Sequence, residues 1–160
     1  MPRLAEAMAC LEGLRVNVEV KNAKDDAESY DETGAFVAQV LDDLDGAGYA
    51  SSISLSCFDL ATCVAARSYD AALDVAWLIW FTSLDDALRD ASEHGFNAVN
   101  PQFRLVTAAS CRLASELGLA LNVWTVNEIH DLETVVDLGV TSVITDQPAR
   151  ALEVLARRTV

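Results

Sequence analysis

The feature that most constrains this chain is the regular exchange of two hydrophobic periods along it. Residues 15–20 (Arg-Val-Asn-Val-Glu-Val) alternate strictly with period two, which predicts a strand. Residues 31–44 place Phe36, Val37, Val40, Leu41 and Leu44 at helical spacing, with Asp42, Asp43 and Asp45 outward and Gly46 and Gly48 at the end. The exchange then repeats. Strands are expected at 51–56, 75–81, 97–100, 119–126 and 140–144. Helices are expected at 60–69, 84–93, 106–117, 128–138 and 149–157, with a leading helix at 2–11. Strands that alternate with helices at this interval form βα units around a parallel sheet. The count is six strands. A (β/α)₈ barrel needs eight units, and at this spacing two more would take roughly 60 residues beyond the 160 present. A doubly wound six-stranded sheet also fits the count. No linker or composition shift divides the chain, so a single domain over 1–160 is expected.

Charge and composition remove several classes. The net charge is −14 and 52% of the residues are apolar. A disordered chain is poorer in apolar residues, and a nucleic-acid binder working through a basic face has the opposite sign. No 18-residue apolar run exists to span a membrane, and the N-terminus lacks a charged-then-apolar leader, so a cytoplasmic location is expected. No Gly-x-Gly-x-x-Gly or Walker-type loop follows a strand. Cys10, Cys57, Cys63 and Cys111 have neither Cys-x-x-Cys nor zinc spacing, which makes them buried or half-buried thiols in a reducing compartment.

Chemistry is expected where polar residues stand on strands that should be apolar. On the first strand Val16, Val18 and Val20 face one way, and Asn17, Glu19 and Lys21 the other. A parallel strand is normally apolar on both faces, and a buried carboxylate and ammonium need a partner or an ion. The bland reading is a structural Glu19–Lys21 pair. Ser52, Ser54 and Ser56 make a second polar row, and Asn122 and Trp124 share a face of the fifth strand, where Trp124 also reads as plain core. His94 at a helix end complements the helix dipole, and His130 sits in a first helical turn; neither is at a strand end. Asn127 and Asp146 precede helices and read as N-caps.

These residues resemble the glycerophosphodiester phosphodiesterase family. Asn17-Val18-Glu19-Val20-Lys21 is similar to its Asn-x-Glu-x-Lys strand, and Ser56-Cys57-Phe58-Asp59 to its Ser-Ser-Phe strand end, with a cysteine for the second serine. Asn100-Pro101 resembles the short sixth strand. Val123-Trp124-Thr125-Val126-Asn127, followed by Gly139-Val140 and Ile144-Thr145-Asp146, is the most specific match. The resemblance implies an incomplete (β/α)₈ TIM barrel whose six units correspond to strands three to eight. It implies hydrolysis of glycerophosphodiesters to glycerol 3-phosphate and an alcohol, a reaction of lipid metabolism, with a divalent cation (magnesium or calcium). It makes Glu19 a metal ligand, Lys21 a phosphate contact and Trp124 a substrate contact.

The family's two acid–base histidines lie in a His-Arg-Gly motif on strand one and a His-Asp motif after strand two. Neither motif occurs at the corresponding place among these 160 residues, and Glu-Asn-Thr is also missing. The resemblance therefore implies no catalytic residue here, weak or no cation binding, an inactive polypeptide, and self-association through open sheet edges. Met1 reads as an initiator inside a longer gene. The alternative is a short barrel relative that binds a phosphorylated ligand or a partner protein without hydrolysis.

Overall fold

A computed structural model describes residues 3–11, 13–26, 28–49 and 53–157. The chain divides into two compact units, Met1–Trp77 and Leu78–Val160, and the division falls within a strand. The expected start of the leading helix at residue 2, the place of Met1, and the first residues of the second strand, Ser52 included, lie outside the described residues.

The first unit contains α1 (Leu4–Ala9), β1 (Val16–Glu19), α2 (Ala35–Gly46), β2 (Ile53–Cys57), α3 (Leu60–Tyr69) and most of β3 (Asp74–Ile79). β1 pairs with β2 in parallel from Val16 opposite Ile53 to Glu19 opposite Ser56. β2 pairs with β3 in parallel from Ser54 opposite Asp74 to Cys57 opposite Trp77. Val37, Leu41 and Leu44 line one face of α2 at intervals of four and three, and all three are buried. Leu55, Cys57, Cys63, Ala66 and Val75 complete this core.

α2 starts four residues later than the sequence spacing predicts. The Asp31 carboxylate accepts from the backbone N–H of Thr33 and of Phe36, and these bonds hold its pKa below the usual carboxylate value. The loop thus ends at Gly34, whose φ is +80° and where a Cβ would stand 3.0 Å from that of Ala65. Buried Asn22 ties the same loop to α3. Its amide donates to the Asp31 carbonyl and to Thr62 Oγ1, and its Oδ1 accepts from the Asp31 N–H.

The second unit holds the end of β3, then α4 (Leu84–Glu93), β4 (Ala98–Pro101), α5 (Ala108–Leu117), β5 (Ala120–Val123), α6 (Ile129–Leu138), β6 (Ser142–Val143) and α7 (Pro148–Ala156). A 3₁₀ turn at Phe103–Leu105, absent from the sequence reading, leads into α5. β4 and β5 pair in parallel through Ala98–Ala120 and Val99–Leu121, and β5 and β6 through Asn122–Ser142 and Val123–Val143. Leu84, Leu88, Val99, Leu121, Val123 and Leu132 are among its buried side chains. Ser83 caps α4 by accepting from the Asp86 N–H, and Gly139, at φ +83°, closes α6.

Every described pairing is parallel and each strand is followed by a helix. The fold is the expected one: six βα units of an incomplete (β/α)₈ barrel. β5 and β6 are shorter than expected, because backbone pairing rather than β-propensity sets where they stop.

Candidate functional site

The C-terminal end of β1 carries the first polar group. Alternation puts Asn17, Glu19 and Lys21 on one side, all exposed, while Val16 and Val18 are half-buried and Val20 is buried. Because Asn17 lies opposite Ser54 and Glu19 opposite Ser56, the rows of the two strands meet. The Asn17 amide donates to Ser56 Oγ at 2.9 Å, and Ser54 Oγ donates to Asn17 Oδ1 at 3.3 Å. No ion pair joins Glu19 to Lys21 among the described residues, so a structural salt bridge does not account for them. Nearby, Lys24 approaches the largely buried Asp59 at 3.6 Å, and Asp59 caps α3 through the Thr62 N–H.

Two cysteines lie beneath this strand end. Cys57 accepts from the Asp59 N–H at 3.4 Å, and Cys63 Sγ lies 3.5 Å from the Cys57 carbonyl. Burial pushes both thiols up, and the two sulfurs raise Cys63 further. The sequence reading made all four cysteines buried or half-buried, but Cys10 is exposed. Since the thiolate is the nucleophile, Cys10 is expected to be alkylated first in the native protein. Cys57 and Cys63 should react only once the chain unfolds. Peptide mapping after timed iodoacetamide treatment checks this, and early labelling of Cys63 would contradict it.

The second polar group belongs to the second unit. Asn122 donates from its amide to Asn100 Oδ1 at 2.9 Å and accepts from Ser142 Oγ at 2.7 Å, forming a chain across β4, β5 and β6. Trp124 is half-buried rather than core. Its indole N–H donates to the Asn100 carbonyl at 2.7 Å, and its ring meets Trp80 edge-to-face with centroids 5.6 Å apart. Trp80 and Phe81 were expected within a buried strand at 75–81. Pairing ends at Ile79, and both side chains are exposed.

Asn127 and Asp146 are not the N-caps their positions suggest. Glu128 and Gln147 hold those places without side-chain caps. The two side chains bond each other instead: the Asn127 amide donates to Asp146 Oδ2, and Asn127 Oδ1 accepts from the Asp146 N–H, both at 2.9 Å. His94 ends α4 and stacks on Phe96, while His130 is exposed in the first turn of α6. Neither stands at the C-terminal end of a strand.

A sequence profile of the Glycerophosphoryl diester phosphodiesterase family matches residues 1–150. The chain belongs to this family. None of the curated protein sequences matches it. Solved structures do. A Silicibacter pomeroyi protein assigned as a glycerophosphoryl diester phosphodiesterase is 25% identical with TM-score 0.87, covering 99% of this chain and 57% of its own. One from Agrobacterium tumefaciens with the same assignment is 21% identical with TM-score 0.83, over 98% and 65%. An Oleispira antarctica phosphodiesterase, solved in complex with the product sn-glycerol-3-phosphate, is 16% identical with TM-score 0.76, over 97% and 61%. The chain thus spans less than two thirds of the length of each.

Family membership raises the question of a divalent cation. Glu19 is a hard oxygen donor of the right kind, beside an amide and two hydroxyls. A hard cation takes six or more oxygens, several of them charged. Among the described residues no group of three His, Cys, Asp or Glu side chains is placed to hold one. These residues do not by themselves complete such a site. No helix among them is long and apolar enough to cross a membrane.

Proposed function

We propose that this chain carries the substrate-holding part of a glycerophosphodiester phosphodiesterase and lacks the acid–base pair that cleaves the bond. The observation that carries this reading is the exposed Asn17–Glu19–Lys21 row at the end of β1, on a chain matched by the family profile over 150 residues. Lys21 offers a compact ammonium to a phosphate oxygen, a charge-assisted contact. Glu19 is one anionic oxygen toward a cation whose remaining ligands these residues do not supply. In the second unit, Trp124 is held by its bond to Asn100 and offers an apolar face to the organic part of the substrate. The family reaction adds water to phosphorus and releases an alcohol, leaving glycerol 3-phosphate, and the product bound by the Oleispira antarctica relative is that same compound.

Calorimetric titration of sn-glycerol-3-phosphate into the 160-residue chain tests the reading. Saturable binding is expected, weakened about tenfold by Lys21→Met, which keeps the stem and removes the charge. Equal affinity in the variant would remove Lys21 from the site, and no binding by the parent chain would defeat the reading. The placement of both histidines on exposed helical turns also favours a second reading, a non-hydrolysing module that binds a phosphorylated ligand or a partner protein. It predicts a stable monomer.

A further inference from the structure

Three aromatic rings stand together in the second unit, and the holding of phosphate and glycerol does not require all of them. Trp80 and Phe81 follow the last residue of β3, and their rings stack with centroids 5.1 Å apart and planes 7° apart. Trp80 also meets Trp124 with the planes at 89°. Trp80 is 54% exposed and Phe81 89% exposed. Rings at right angles present their faces in two directions, and an aromatic face attracts a cation through its quadrupole. Asp85 and Asp86, exposed in the first turn of α4, follow within five residues, and the chain as a whole carries −14. A field of that sign draws cations and repels anions. An uncharged apolar ligand favours a concave pocket that removes it from water, whereas these rings lie open.

We propose that Trp80 and Phe81, with Trp124, receive a quaternary ammonium group, so that the substrate's alcohol is of the choline type. The inference rests on the phosphodiesterase reading for the rest of the substrate, but recognition of the cation does not depend on it. Trp80 and Phe81 are then specificity-determining residues for the leaving alcohol. Large apolar side chains at a strand end are here left in water to meet a methylated cation.

The test titrates choline chloride into the full 160-residue chain and follows tryptophan emission. Trp77 is buried and serves as a constant background. The comparison ligand is the uncharged analogue in which carbon replaces the choline nitrogen. Saturable binding of choline is expected, with the analogue at least about threefold weaker. Trp80→Leu and Phe81→Leu should each weaken choline about three- to fivefold while leaving the sn-glycerol-3-phosphate titration unchanged. Both side chains are exposed, so the variants are expected to fold, and circular dichroism checks this.

Equal binding of the analogue would overturn the proposal in favour of an apolar contact. A response to phosphatidylcholine vesicles without one to free choline would overturn it in favour of a lipid surface. Unchanged choline affinity in both variants would also overturn it. If choline binds and sn-glycerol-3-phosphate does not, the phosphodiesterase reading fails and this one stands; the reverse result overturns this one alone.

Discussion

Sedimentation velocity of the 160-residue chain is expected to give a weight-average coefficient that rises with protein concentration and rises further with salt. Among the described residues β1 pairs with β2 alone, so one edge of Val16–Glu19 presents unpaired backbone donors and acceptors. Such an edge is a template for a strand of another copy. Apolar side chains add to it: Leu14 precedes β1 and is 60% exposed, and Leu152 on α7 is 66% exposed. Burying a leucine contributes about 1.5–3 kcal/mol, so a few such contacts give a measurable dimer. The charge of −14 opposes this by mutual repulsion, which salt screens over a distance of about 10 Å at 0.1 M. Association that strengthens with salt is therefore the signature. The sequence pointed equally to residues 140–144 as an edge, but β6 is only two residues long and offers little to pair with. A single monomeric species with one sharp thermal transition would favour the non-hydrolysing module instead.

Much of the fold was legible because period two and period 3.6 are hard to confuse over ten residues. α3 and α4 have the bounds that their spacing predicts. The misses share a physical origin in contacts between distant residues. Asp31 has the composition of a first helical turn, but its carboxylate bonds the N–H groups of Thr33 and Phe36 and makes a loop. Val75 to Phe81 reads as one buried apolar run, yet neighbouring strands cover it only to Ile79.

The candidate site divides in the same way. Asn17, Glu19 and Lys21 could be read from alternation alone, because a polar row on a parallel strand is visible without knowing its neighbour. The chain of Asn100, Asn122 and Ser142 could not, since each partner is fixed by strand register. The bond between Asn127 and Asp146 spans 19 positions, and both residues have the types that cap helices, so local sequence favoured the wrong role. Trp124 was legible as a candidate, whereas its contact with Trp80 depends on where β3 ends.

The largest expected effect is on turnover. General acid and general base catalysis each contribute typically about 100- to 10,000-fold, and each needs hydrogen-bond reach of the reacting oxygens. The sequence has two histidines. His94 ends α4 with its ring against Phe96, and His130 is exposed on α6. Barrel enzymes place their chemistry at the C-terminal ends of strands, and neither imidazole is there. Glu19 alone does not complete a site for a hard cation. The 160-residue chain is therefore expected to hold substrate without cleaving it.

The most direct measurement is the rate of choline release from glycerophosphocholine by the purified chain, with magnesium or calcium, against a protein-free blank. The account predicts a rate equal to the blank with either cation. Cation-dependent release above the blank, retained in a variant carrying both His94→Ala and His130→Ala, would contradict it.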